Sequence, residues 1–343
     1  MEKVEIEYPP NLLSKEVEVD YEKNEISKGA MGGTELMMEK IYSSINPELL
    51  SKFQIIPSRV RDLDNSKVRL LYCHDLPEDP ESQHLKNGGW KKFHKIIFVS
   101  NWQMQAYISY FEIPWERCIV MQNAIKPIPD HDKNPDKMVL GYWSTPHRGL
   151  DILVPVFEKL SEKYPQLELE VFSSFNLYGW PDRDKQFQPL FDRCIAHPKI
   201  TYHGTVNNKK IRESLRRIHI LAYPATWIET SCMVLMEAMS AKCLAVHPNL
   251  GAMYETAANW TYMYQFHEDP NKHANLFYNI MDQTIDKYWE KELQARINST
   301  KTFADIFYNW EFRKRQWEGL LEAMQNEPTE LQQEKQLYHY RVG

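Results

Sequence analysis

The tightest constraint on this chain is a rhythm. Short, β-rich apolar runs alternate with stretches whose apolar residues recur every three to four positions. Strands are predicted at 68–72, 95–99, 117–121, 138–142, 167–172, 219–223 and 242–246. Between two of them, Leu150, Leu153, Val154, Phe157 and Leu160 fall on one helical face. Elsewhere Ile211, Leu215 and Ile218 share a face, with Lys209, Lys210, Arg212, Arg216 and Arg217 predicted to look to water. Alternation of this kind specifies parallel sheets covered by helices, an α/β fold.

The rhythm is interrupted once. Residues 126–137 read KPIPDHDKNPDK, with Pro127, Pro129 and Pro135 and little apolar content, as a linker does. The expected organisation is therefore an N-terminal Rossmann-like domain at 1–125, the linker at 126–137, and a second Rossmann-like domain at 138–305. A C-terminal helix at 306–325 returns to the first domain, and a polar tail occupies 326–343. The aromatic, helix-patterned stretch 301–324 carries Phe303, Phe307, Trp310 and Trp317. A length of 343 residues agrees with two domains.

The net charge of -6 argues against a general nucleic-acid coat. Five widely spaced cysteines without a C-x-x-C pair suit a reducing compartment and buried thiols better than a disulfide framework or a zinc site. The start, MEKVEIEYPP, has no apolar signal core, and no run has membrane-spanning length. The expectation is a cytoplasmic protein without integral membrane contact.

Chemistry concentrates in PATWIETSCMVLMEAMSA, residues 224–241. The apolar run IHILAY leads into Pro224, a short loop, and a helix expected to start near Ser231. Glu229 and Glu237 bracket the turn with seven residues between them. Thr230 or Ser231 could cap the helix, whose first N–H groups would then face phosphate oxygens. One carboxylate could accept from a ribose diol and the other from a sugar hydroxyl. Taken alone, two solvated helix-end charges would read equally well.

This segment resembles the E-x7-E motif of the retaining glycosyltransferases of the GT-B fold, glycosyltransferase family 4. Five other stretches resemble the family's landmarks in the family's order: MGGTE (31–35), IVMQNAIKP (119–127), GYWSTPHRGLDIL (141–153), ITYHGTV (200–206) and NLGAMYE (249–255). The resemblance spans roughly residues 29–325. It implies two Rossmann-like domains flanking an interdomain cleft, and transfer of a sugar from a nucleotide sugar, UDP-linked before GDP-linked, with no cofactor and no metal. It implies Glu237 on the ribose, Glu229 on the donor sugar and Arg148 on the diphosphate. Gly32 and Gly33 would lie close to the phosphates, and Val206 would line the base pocket.

His74, after the buried run VRLLYC, would touch the donor sugar. The other reading of His74 is structural, or a capping pair with Asp75. The acceptor is open: saccharide, small molecule, protein or a modified DNA base. Departures from the family pattern are Tyr142 where a basic residue is usual, Thr230-Ser231 after Glu229, Lys242-Cys243-Leu244 after the helix, and FSSFNLYGW (172–180) for a glycine-rich loop. Two rival functions stand beside the transferase: a GT-B-fold epimerase or phosphorylase, and a catalytically silent nucleotide-sugar-binding module. Trp180 and Trp227 could stack on a sugar or pack in the core.

Overall fold

The computed structural model describes residues 32–331. Met31 of the MGGTE motif, the acidic stretch 16–25 and the end of the polar tail lie outside them. The described chain forms two compact units. The smaller comprises Met38–Met121 with 314–331; the larger comprises 32–37 with Gln122–Arg313.

The smaller unit holds a parallel sheet in the order β1 (Phe53–Pro57), β2 (Val68–Cys73), β3 (Lys95–Phe98), β4 (Cys118–Val120). Every residue of β2 is buried, which only a sheet covered on both faces permits. Trp317 is fully buried in this unit, its ring edge-on to Tyr72 at 5.1 Å.

The larger unit holds a six-stranded parallel sheet. Its strands are β5 (Met138–Trp143), β6 (Leu167–Phe172), β7 (Ile200–Tyr202), β8 (Ile220–Ala222), β9 (Leu244–Pro248) and β10 (Tyr262–Tyr264), in the order β10-β9-β8-β5-β6-β7. The chain starts at β5, runs outward through β6 and β7, then crosses to β8 on the other side of β5. β5 and β8, paired at Leu140–Ile220 and Gly141–Leu221, therefore flank a topological switch point. The loops leaving their C-terminal ends diverge there, and ligands of open α/β sheets bind at that place. The helix Leu150–Lys163 buries Leu150, Leu153, Val154, Phe157 and Leu160 against the sheet, as its periodicity predicts.

Some expectations are corrected. Strands β1, β7 and β10 are additional to the seven-run pattern. Lys242 does not begin a strand: it takes a left-handed turn (φ 56°), and β9 starts at Leu244. The C-terminal stretch is two helices, Lys291–Phe307 and Trp310–Met324. They break at Tyr308–Asn309, where the Ile125 backbone exchanges hydrogen bonds with Tyr308 O (2.7 Å) and Trp310 N (2.8 Å). Segment 126–137 is tied into the larger unit. Ile128 N donates to Ser240 Oγ (2.8 Å), and Lys133 Nζ donates to the carbonyls of Leu215 and Ile218. Two of the five basic residues expected in water are engaged. Arg217 forms a two-pronged pair with the buried carboxylate of Glu170, and Arg212 reaches inward to Glu237.

Candidate functional site

Two loops meet at the switch point, both inside the larger unit. After β5, the turn Pro146–Arg148 ends on Gly149, whose φ of 104° suits glycine; a Cβ there would collide with the Pro224 carbonyl. This close approach brings Arg148 beside the loop that follows β8. Thr226 Oγ1 adds a brace, donating to His147 O at 3.0 Å.

The loop after β8 carries Glu229, 6% exposed. Its backbone is gripped by Gly251: the two form a β-bridge, and Ala252 N donates to Glu229 O at 2.7 Å. Arg148 Nη1 and Tyr223 Oη both donate to Glu229 Oε1, at 2.8 and 2.6 Å. Burial works against the charge of Arg148, but Glu229 with Tyr178 and Tyr223 outweighs it, and the guanidinium pKa is raised. The site thus keeps a charged pair in a partly dehydrated setting.

The following helix is Met233–Ser240. Its N-cap is Cys232, with no side-chain cap hydrogen bond, so neither Thr230 nor Ser231 caps it. The Ser231 hydroxyl is buried and has no hydrogen-bond partner among the described residues, which fits a group reserved for a ligand. Glu237 lies one turn into this helix, 6% exposed, accepting from Asn208 Nδ2 (3.3 Å) and Arg212 Nη1 (3.4 Å). Arg212 Nη2 also donates to the carbonyls of Lys126 (2.6 Å) and Pro127 (3.3 Å).

Gly32 and Gly33 open the helix Gly33–Ser44 at the edge of the same site. A Cβ on Gly32 would lie 2.5 Å from Tyr178 Cε1, and one on Gly33 3.2 Å from Met233 Sδ. Tyr142, which stands where the family pattern has a basic residue, is fully buried and donates to Thr145 O at 2.7 Å, so it offers the site neither charge nor access. Val206 packs, partly buried, against the core of this unit. Trp227 is 43% exposed, edge-on to His147 at 5.0 Å, and Trp180 sits under Arg183, so neither is a core residue.

His74 directly follows β2 in the smaller unit. Its N–H donates to Ser58 Oγ (2.8 Å), its ring meets Tyr72 edge-on at 4.2 Å, and burial lowers its pKa to about 3, leaving a neutral imidazole. The cap of the next helical segment is Asp79, not Asp75: its side chain accepts from Glu81 N. The Asp182-Arg183-Asp184 triplet divides its acids, Asp182 pairing with Lys185 and Asp184 with Ser174 and Phe175 N. Among the described residues no cluster of three or more His, Cys, Asp or Glu side chains is placed to hold a metal. No helix among them is long and apolar enough to cross a membrane.

Glu229, Arg148 and Glu237 follow from the motifs. Tyr223, Asn208 and Arg212 do not: Tyr223 reads as the end of an apolar run, Arg212 as part of a solvated helix face, and no motif marks Asn208.

Comparison with known proteins agrees with this architecture. The family described as glycosyl transferases group 1 matches residues 123–302, more than half of the chain. The chain belongs to that family, and its two parallel-sheet units are those of a GT-B glycosyltransferase. A glycosyltransferase from Rickettsia africae ESF-5 superposes with a TM-score of 0.64 at 14% identity, covering 89% of this chain and 84% of the other. Alr3699/HepE of Anabaena, solved with UDP-glucose, gives 0.59 at 17% identity, covering 75% and 72%. The pneumococcal O-GlcNAc transferase GtfA, solved with UDP and GlcNAc, gives 0.58 at 12% identity, covering 77% and 54%. At such identities the likeness is one of fold. No curated protein sequence matches the chain.

Proposed function

We propose that this glycosyltransferase moves a sugar from a nucleoside diphosphate sugar, UDP-linked before GDP-linked, to an acceptor hydroxyl with retention of configuration and without a metal. The observation that carries the reading is the Arg148–Glu229–Tyr223 cluster, set at the switch point beside a helix start whose Ser231 hydroxyl awaits a partner. The Anabaena and pneumococcal structures, solved with UDP-glucose and with UDP and GlcNAc, support the choice of donor.

In this reading Glu237 accepts from the ribose hydroxyls, held in place by Asn208 and Arg212. Arg148, the Ser231 and Thr230 hydroxyls and the N–H groups at the helix start face the diphosphate, near Gly32 and Gly33. Glu229 accepts from a donor-sugar hydroxyl, Val206 lines the base, and neutral His74 contacts the sugar. As the glycosidic C–O bond breaks, negative charge grows on the departing phosphate, and fixed N–H donors and a guanidinium are aimed where that charge appears. The departing oxygen takes the acceptor's proton on the same face, so no enzyme carboxylate forms a covalent bond.

The buried Tyr142 is the feature that favours the alternative, a silent binding module. Calorimetric titration with UDP and then GDP, each with and without chelator, tests the donor site. Binding of one nucleotide that chelator leaves unchanged is expected. Binding of neither, or binding abolished by chelator, would overturn the reading. Hydrolysis or transfer of the matching donor separates the enzyme from the silent module, which would never turn it over.

A further inference from the structure

A nucleoside diphosphate brings at least two negative charges to its site, and its departure adds to them. Arg148 alone does not balance that load, because its guanidinium already lies 2.8 Å from Glu229 and the pair is together close to neutral. Arg212 is similarly committed to Glu237 and two carbonyls. The segment after β6 brings a further cation into the same neighbourhood.

That segment runs through two tight turns, Phe175–Tyr178 and Pro181–Phe187. Asp184 closes it on itself: Oδ1 accepts from Phe175 N (2.7 Å) and Oδ2 from the Ser174 hydroxyl (2.5 Å). Closure lays Arg183 over the segment's own rings, its Cζ 4.2 Å from the Trp180 centroid and 5.9 Å from that of Phe175. Phe175 stacks on His147 at 5.0 Å and 15°, and His147 is the chain neighbour of Arg148. Tyr178, tilted against the Trp180 ring at 5.3 Å, lies against Gly32 and within electrostatic reach of Arg148. Burial, and then the charges of Arg148 and Arg183, hold the His147 pKa down at about 3. Lys185, the segment's other cation, is exposed and paired with Asp182.

We propose that Arg183 is a donor-binding residue, seated by Trp180 and Phe175, that supplies the second positive charge for the diphosphate. A guanidinium is suited to this: its face stacks on an aromatic ring while its edge forks two phosphate oxygens. The inference rests on the donor reading above.

The test compares each diphosphate with its own nucleoside, UDP with uridine and GDP with guanosine, on the full chain. For whichever diphosphate binds the wild type, Arg183→Met is expected to weaken it about ten-fold while nucleoside affinity stays within about two-fold. Arg183→Lys, which keeps the charge but not the fork, should fall between. Trp180→Leu, which keeps Arg183 but removes its seat, should weaken the diphosphate alone by about three-fold; it is decisive if Arg183→Met does not fold. Wild-type affinity for the diphosphate in these variants overturns the proposal, and so does equal loss of nucleoside binding, which marks a structural role. If the wild type itself binds neither diphosphate better than its nucleoside, the donor reading fails first.

Discussion

Arg148 and Glu229, 81 residues apart in the chain, meet through one carboxylate oxygen, and Tyr223 donates to that same oxygen. Removing the guanidinium leaves a buried carboxylate with a single neutral donor. Arg148→Ala is expected to cost about 1–3 kcal/mol of stability. If Arg148 also faces the departing diphosphate, turnover should fall about a hundred-fold or more. A variant that melts lower yet turns over donor like the wild type would confine Arg148 to structure.

Tyr223 tests the other half of the pair. Tyr223→Phe keeps the ring, which packs 5.8 Å from Tyr142, and removes the 2.6 Å hydrogen bond to Glu229 together with a longer contact to Ser144 Oγ (3.4 Å). Because Arg148 still holds the carboxylate, a loss of about 1 kcal/mol in stability is expected. Turnover is expected to drop several-fold, with nucleotide affinity unchanged. Denaturant midpoints and kcat measured on the same preparation check both; a full loss of nucleotide binding would contradict the assignment.

Glu237→Ala should weaken nucleotide binding about ten-fold or more, the worth of hydrogen bonds to a charged group. The fold should survive, because Arg212 keeps its bonds to the Lys126 and Pro127 carbonyls. Unchanged affinity in calorimetry would remove Glu237 from the ribose.

These residues differ in how openly the sequence displays them. Glu229, Glu237 and Arg148 sit in local strand–loop–helix segments that resemble the family's motifs, so the resemblance singles them out, and the β5–β8 switch point brings Arg148 and Glu229 together. Arg212 is different. Helical periodicity puts it among solvated lysines and arginines, and only the packing of its helix shows that it reaches a carboxylate 25 residues away. The edge strands β7 and β10 are each held by pairing with a single neighbour in the sheet. Thr230 and Ser231 are good capping types, yet the turn carries the chain on to Cys232 before the helix begins.

Gly251 is the backbone anchor of Glu229. At φ 61° it occupies the left-handed region, and a Cβ would press on the Glu229 backbone, 2.8 Å from its nitrogen. Gly251→Ala is therefore expected to cost about 1–3 kcal/mol and to displace Glu229. Activity should fall further than the Ala substitution of a surface glycine such as Gly319, which has open space around it. Equal activity in the two variants would mean that the bridge does not position the carboxylate.

The histidines set the acid limit. His219, His247 and His273 are fully buried, and burial lowers the pKa of each to about 4. His219 shows why: its Nδ1 accepts from Val139 N (3.1 Å) while its Nε2 faces Asn134 O (3.0 Å), so a second proton has no acceptor to meet. A folded pKa below the ordinary 6.5 means that the unfolded chain binds these protons first. The stability they contribute is complete above about pH 6.5 and is lost as the pH falls toward 4, by about 1.4 kcal/mol per histidine per pH unit. Asp75 and Asp151, raised by burial to about 6, act in the opposite direction between pH 6 and 4, because there the folded state takes up their protons first. These three histidines, joined by His74 and His147 with pKa values lowered to about 3, outweigh the two carboxyls, so stability at pH 5 should be lower than at pH 7 by about 2 kcal/mol or more. Urea midpoints at the two pH values measure this directly. A profile that is flat, or that rises on acidification, would mean that these imidazoles are charged in the folded protein.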